Sequence, residues 1–100
     1  MIRLINEWVF TAYDLDSGDS IVDVVNLKSD LSKEEAFNAI NELVLNKHPI
    51  TTITGNTWEV EDIELTGRTY SYNTETKEYT LLTERSDYYK DLVYPIMNME

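Results

Sequence analysis

Carboxylates are the most abundant chemically active groups in this sequence, and four of them crowd one short run. They are Glu59, Glu61, Asp62 and Glu64. If this run is an extended strand, alternate residues lie about 6.8 Å apart, which is twice the rise of about 3.4 Å per residue. The spacing predicts a row of negative charge that can bind the Lys and Arg side chains that normally hold phosphates.

A second acidic run lies earlier in the chain. It carries Asp14, Asp16, Asp19 and Asp23. The run begins like a calcium-binding loop, with carboxylates at positions one and three. It then departs from that pattern, because Gly18 and Asp19 reverse the order required at positions five and six, and Val25 stands where a bidentate Glu is needed. We interpret it as the solvated turn of a hairpin, with weak, non-selective cation binding as the alternative, and we expect no dedicated metal or cofactor.

The other side chains give little support for catalysis. His48 is the single histidine and stands beside Pro49 at the expected end of a helix, where a structural or solvent-exposed role is favoured. No Ser or Thr has the local signature of an activated nucleophile. The three glycines are far apart, and there is no cysteine to serve as a thiolate or zinc ligand. We therefore predict that the protein is not an enzyme, with paired carboxylates acting as acid and base as the one catalytic alternative.

The charge balance limits the class of partner. Nineteen Asp and Glu residues against eight Lys and Arg residues give a net charge of -11. Direct binding to nucleic acid or to an anionic membrane is disfavoured because like charges repel, whereas a basic protein surface is favoured. Acidity that serves solubility alone is the alternative. The sequence shows no signal peptide and no apolar run of the roughly 20 residues that span a bilayer, so we expect a cytoplasmic protein.

One long amphipathic helix is predicted over residues 31–47. Ser32 and Glu35 have the spacing of a capping box. An apolar stripe follows at helical spacing, formed by Phe37, Ile40, Leu43 and Val44. Pro49 ends the helix.

Strands are predicted over most of the remaining chain. The runs are 2–13, 20–27, 50–54, 57–65 and the two arms of a hairpin within 68–85. In the first strand, one face is expected to carry Leu4, Trp8, Phe10 and Ala12, and the other Arg3, Glu7, Thr11 and Tyr13. Residues 1–100 therefore form a single acidic α+β domain, in which an antiparallel sheet of about five to six strands packs on the helix.

The fourth run contains a break in its alternation. Trp58 and Val60 share one face, but Ile63 and Leu65 fall on the other. One extra residue near Glu61 and Asp62, a β-bulge, returns all four apolar side chains to the core.

Tyrosines mark a second candidate surface. Tyr70 and Tyr72 are expected opposite Tyr79 and Leu81 across a loop at residues 74–77. Tyrosine is enriched at protein interfaces. A short C-terminal helix is predicted to start at Ser86, to carry Tyr89, Leu92 and Val93, and to end before Pro95.

Two functions remain open at this point. The first is a non-catalytic inhibitor that docks on the basic, nucleic-acid-binding groove of a partner enzyme, in the manner of the small nucleic-acid mimics with which phages block host defences. Its expected contact residues are Glu59, Glu61, Asp62, Glu64, Asp14, Asp16, Asp19, Tyr70, Tyr72 and Tyr79. The second is a homo-oligomeric assembly subunit whose Tyr-rich β edges pair between copies. Monomer and homodimer are both compatible with the sequence.

Overall fold

The long helix forms where its capping signals place it. In the computed structural model, which describes residues 1–92 and 96–98, helix α1 spans Lys33–Asn46. The Glu35 N–H donates to Ser32 Oγ at 3.1 Å, and the Ser32 N–H donates to Glu35 Oε1 at 3.0 Å, which confirms the capping box. These hydrogen bonds hold the pKa of Glu35 below its usual value. The buried face of α1 consists of Ala36, Ile40, Leu43 and Val44, while Phe37 is half-buried.

A second helix replaces one predicted strand. Residues 50–54 were expected to be extended, but Pro49–Thr54 forms the short helix α2. Pro49 occupies its first turn, where a missing N–H costs nothing. His48 caps it from an extended conformation, and the cap at the other end is Gly55 at φ 68°. These local signals outweigh the β propensity of the Ile and Thr residues, and the prediction of a strand there was wrong.

Four antiparallel strands form a curled sheet. They are β1 Ile2–Asp14, β2 Ser20–Lys28, β3 Trp58–Asn73 and β4 Glu78–Thr83, in the spatial order β4-β3-β1-β2. A three-residue strand, β5 Ile96–Asn98, pairs in parallel with β2. The antiparallel part has fewer strands than expected for two reasons. One predicted strand is α2, and the runs expected on either side of Gly67 form the single strand β3.

Gly67 bends β3 and does not end it. It has φ 92°, and a Cβ at this position would lie 3.2 Å from the Ser86 nitrogen. The register with β1 also shifts here, between the pairs Asn6–Thr69 and Trp8–Leu65. The glycine therefore allows both a left-handed backbone and a close crossing of the chain.

The predicted bulge is confirmed at Glu61. Thr11 pairs with Asp62 and Ala12 pairs with Val60, which leaves Glu61 as the extra residue. Three of the four apolar side chains that the bulge was expected to align are buried, namely Trp58, Val60 and Ile63. Leu65 is 51% exposed, and Leu4, which was expected on the core face of β1, is 55% exposed. Both lie beyond the part of the sheet that the helices cover, so their placement in the core was wrong.

The core lies between α1 and one face of the sheet. It joins the α1 stripe to side chains of three strands, chiefly Trp8, Phe10, Ala12, Val25, Leu27, Trp58, Val60 and Ile63. None of the helices in the described part of the chain is both long and apolar enough to cross a membrane.

Residues 84–92, here called the terminal segment, cross the opposite face of the sheet. The expected helix from Ser86 is not shown. Residues 87–91 form turns, with the Tyr89 N–H donating to the Ser86 carbonyl and the Leu92 N–H to the Tyr89 carbonyl. Val93, the last apolar residue of the predicted helix, lies outside the described residues.

Candidate acidic interaction surface

The register of the sheet brings the two acidic runs to the same end of the molecule. Residues 58–64 of β3 pair with residues 9–14 at the end of β1, and the turn after β1 carries the aspartates. β1 thus lies between the two runs. Since neighbouring strands lie about 4.8 Å apart, the runs flank it at a separation of roughly 10 Å. We call the exposed members of both runs the acidic end; they are Asp16, Asp19, Glu59, Glu61, Asp62 and Glu64.

The carboxylates of β3 point away from the core. Glu59, Asp62 and Glu64 pair with Tyr13, Thr11 and Val9, on the face opposite to the buried side chains of β3. Glu61 sits in the bulge, and all four acidic residues are exposed. The ion pairs found among the described residues involve Glu7, Asp23 and Glu75, and none of them involves these four.

This half of β3 is also a free edge of the sheet. β4 pairs only with residues 69–73 of β3, so residues 58–66 have no strand on their outer side within the described part of the chain. The Val60 N–H donates to Asn41 Oδ1 of α1 at 3.2 Å. Charged side chains on a free edge prevent pairing with other chains, so edge protection is the simplest role of these carboxylates without a partner.

Asp14 does not belong to the exposed surface. It is 2% exposed, and its Oδ1 accepts from the N–H groups of Asp16 at 2.8 Å and Ser17 at 3.3 Å. Asn56 Nδ2 donates to Oδ2 at 2.8 Å. The Asn56 amide and these N–H groups lower the pKa of Asp14. Because its oxygens are used to fold the turn, we correct the expectation that Asp14 contacts a partner.

Asp23 also has an internal role. Its Oδ2 lies 2.9 Å from His48 Nε2, and the Ile50 N–H donates to His48 Nδ1 at 3.1 Å. Since Nδ1 accepts, Nε2 carries the proton and donates to Asp23. His48 is buried, and this pair ties the start of α2 to β2. Among the described residues, no group of three or more His, Cys, Asp or Glu side chains could hold a metal ion.

Positive charge gathers at the opposite end of the sheet. Lys28 pairs with Ile5 near the start of β1, while Arg3 pairs with Tyr72 near the end of β3. Arg68 lies in the same half of β3, and Lys77 lies in the loop that follows it. The sheet therefore has one acidic end and one end that carries half of the eight Lys and Arg residues.

The tyrosines form a separate surface. Tyr70 pairs with Leu81 and Tyr72 pairs with Tyr79, as the sequence predicts. The ring centroids of Tyr72 and Tyr79 are 4.5 Å apart, and those of Tyr70 and Tyr79 are 6.0 Å apart. Burial raises the pKa of Tyr70, and Tyr72 is only 9% exposed. Much of this cluster packs on itself, at the end of the sheet away from the carboxylates.

A buried ion pair was missed by sequence reasoning. Glu7 was expected on an outer face, yet none of its surface is exposed. Arg85 Nε donates to Glu7 Oε1 at 2.6 Å and Nη2 donates to Oε2 at 3.1 Å, while Thr66 Oγ1 donates to Oε1 at 2.8 Å. Hydrogen bonding to Glu7 raises the pKa of Arg85. The available signal was a lone acid in an otherwise apolar strand, but the sequence could not indicate which cation meets it.

The ion pair holds the terminal segment beside the acidic end. Arg85 Nη1 donates to the Leu92 carbonyl, and Tyr89 Oη donates to Glu64 Oε2. Between the segment and the sheet lies an open recess of about 430 Å³, lined by aliphatic side chains, two carboxylates and two tyrosines. Asp62, Glu64, Tyr88 and Tyr89 supply its polar and aromatic groups.

Comparison with protein-family models, curated proteins and solved structures found no match to this chain. The functional inference rests on the geometry of the acidic end itself. Exposed carboxylates on a strand and a neighbouring turn can accept hydrogen bonds from Lys and Arg, and aromatic rings beside them can contact the same cations.

Proposed function

We propose that the protein is a non-catalytic inhibitor that docks its acidic end on the basic, nucleic-acid-binding groove of a partner enzyme. The observation that carries this proposal is the segregation of charge. Six exposed carboxylates lie at one end of the sheet, while Arg3, Lys28, Arg68 and Lys77 lie at the other. Charges spread for solubility alone have no reason to separate in this way.

The geometry suits a cleft that normally holds phosphates. Alternate residues of β3 repeat about every 6.8 Å, and the turn aspartates add a second line of charge roughly 10 Å away across β1. Lys and Arg of such a groove lose their phosphate contacts when they bind these carboxylates instead. The result is competition with DNA or RNA. A cytoplasmic, phage-encoded anti-defence protein is the setting in which we place this activity.

The proposal is tested by a pair of charge-matched variants. Glu59→Lys with Glu61→Lys changes the acidic end, while Asp30→Lys with Glu75→Lys changes exposed residues at the opposite end. Each pair of reversals moves the net charge from -11 to -7, because every reversal adds two positive units. Glu75 pairs only with the exposed N-terminus, at 3.6 Å, and the loss of that pair costs little.

The measurement is displacement of labelled duplex DNA from an arginine-rich peptide, followed by fluorescence anisotropy. We expect the native protein to release the DNA more strongly at about 50 mM than at about 200 mM salt. Reversal at the acidic end removes attractions and adds repulsions, each worth about 0.2–1 kcal/mol, so the inhibition constant rises about tenfold. The control pair changes it about twofold or less. Equal losses in both variants would show that net charge alone matters and would refute the proposal.

A further inference from the structure

The outer edge of β4 differs in chemistry from the rest of the surface. β4 is the last strand on its side of the sheet, and all six of its residues, Glu78–Thr83, are exposed. Residues 79–83 carry no charge in a protein of net charge -11. Tyr79, Leu81 and Leu82 are 40%, 38% and 55% exposed. A long, uncharged edge strand is a template for pairing with another strand.

The position of β4 lets a second copy approach. It pairs with residues 69–73 of β3, the half of the sheet that lies away from the acidic end. If two β4 strands pair antiparallel about a two-fold axis, their acidic ends point in opposite directions. Repulsion between the two copies is then weakest where their backbones meet, because charges beyond about 10 Å are screened at physiological salt.

Charge complementarity selects the register of such a pair. Side chains opposite each other in an antiparallel pair share one face, so the two-fold axis must pass through a residue. An axis at Leu81 would place Glu78 opposite Glu84 of the second copy. An axis at Thr80 places Lys77 beside that Glu84 and sets Tyr79 opposite Leu81.

We infer that the protein forms a symmetric homodimer in which two β4 strands pair antiparallel, with Thr80 opposite Thr80 of the second copy. The dimer joins the two sheets and continues the tyrosine surface across the axis. It leaves both acidic ends free, so it does not depend on the function proposed for them.

Disulfide trapping tests the register. The chain has no cysteine, so each single substitution gives one thiol per copy. In the inferred register, Cα atoms at position 80 lie about 4.5–5.5 Å apart, within the range that a disulfide spans. Those at position 81 are offset by two residues and lie about 8 Å apart, beyond the range of a disulfide. We expect Thr80→Cys to cross-link on mild oxidation at least tenfold faster than Leu81→Cys. The reverse order would overturn the register.

Charged substitutions test the dimer itself by sedimentation. Thr80→Lys places two like charges on the axis, and we expect this variant to dissociate at least tenfold more readily than the native protein. Thr80→Glu should behave in the same way, while a mixture of the two variants restores the dimer because unlike charges then face each other. Circular dichroism checks that each exposed substitution leaves the fold intact. A native protein that stays monomeric at high protein concentration and high salt, or a mixture that fails to associate, would refute the inference.

Discussion

Replacement of Arg85 by alanine tests how the terminal segment is held. The Arg85 guanidinium makes two hydrogen bonds to Glu7, at 2.6 and 3.1 Å, and a third to the Leu92 carbonyl. Its side chain is 8% exposed, and that of Glu7 is fully buried. One side chain therefore joins β1 to the terminal segment and neutralises the buried carboxylate.

The expected loss of stability is large for a protein of this size. Removing one partner of a buried ion pair costs about 3–5 kcal/mol, because the remaining charge is left uncompensated. Thr66 still donates to Glu7 at 2.8 Å, which places the loss near the lower limit, about 3 kcal/mol. Small domains have a total unfolding free energy of about 5–15 kcal/mol, so the variant should unfold at a much lower urea concentration.

Urea unfolding followed by tryptophan fluorescence measures the difference. A matched variant carries Glu7→Leu together with Arg85→Leu, which removes both charges and keeps apolar volume. We expect it to recover most of the lost stability, since an apolar pair often replaces a buried ion pair without cost. In Arg85→Ala alone, trypsin should also cleave faster after Lys90, because the terminal segment is released. A single variant within about 1 kcal/mol of the native protein, or a double variant as unstable as the single one, would show that the pair does not hold the segment.

Three further predictions concern the elements that position the acidic end. Asn56→Ala removes the main cause of the lowered pKa of Asp14. A lowered pKa stabilises the fold above the unfolded-state value of about 3.9, and this contribution is lost as pH falls through the folded-state value. The fall in melting temperature from pH 7 towards pH 3 should therefore be smaller in the variant. Deletion of Glu61 removes the bulge residue, so Asp62 and the residues after it must shift register or face. We expect severe destabilisation by thermal melting, whereas Glu61→Ala should be nearly neutral. His48→Ala removes the cap from the Ile50 N–H and should cost about 1–2 kcal/mol by urea unfolding, with a smaller loss for His48→Asn, because Asn also caps helices.

Predictions from the sequence succeeded where the signal is local. The capping box of Ser32 and Glu35, the bulge at Glu61 and the pairing of Tyr72 with Tyr79 each depend on residues close in the chain or within one hairpin. In these places, side-chain period and spacing specify the geometry directly.

The sequence was misleading where distant contacts decide the structure. The Ile and Thr residues of 50–54 favour a strand, but the helix is set by its caps, and His48 is held by Asp23 from 25 positions away. Glu7 and Arg85 are 78 positions apart, so no local pattern could place that carboxylate inside. The burial of Asp14 depends on Asn56 in the same way. The two acidic runs could be recognised from the sequence, but their position on either side of β1 follows only from the register of the sheet.

The two edges of the sheet bear on whether the acidity has a purpose beyond solubility. The free half of β3 carries four carboxylates within six residues, whereas the outer edge of β4 carries none from 79 to 83. Protection against aggregation would be needed most at β4, because its side chains are apolar and exposed. A single charged residue often suffices to block an edge, so four on β3 exceed that need. Protection of edges explains neither the excess on one side nor its lack on the other. Recognition of a cationic surface by β3 and of a second β4 by β4 explains both.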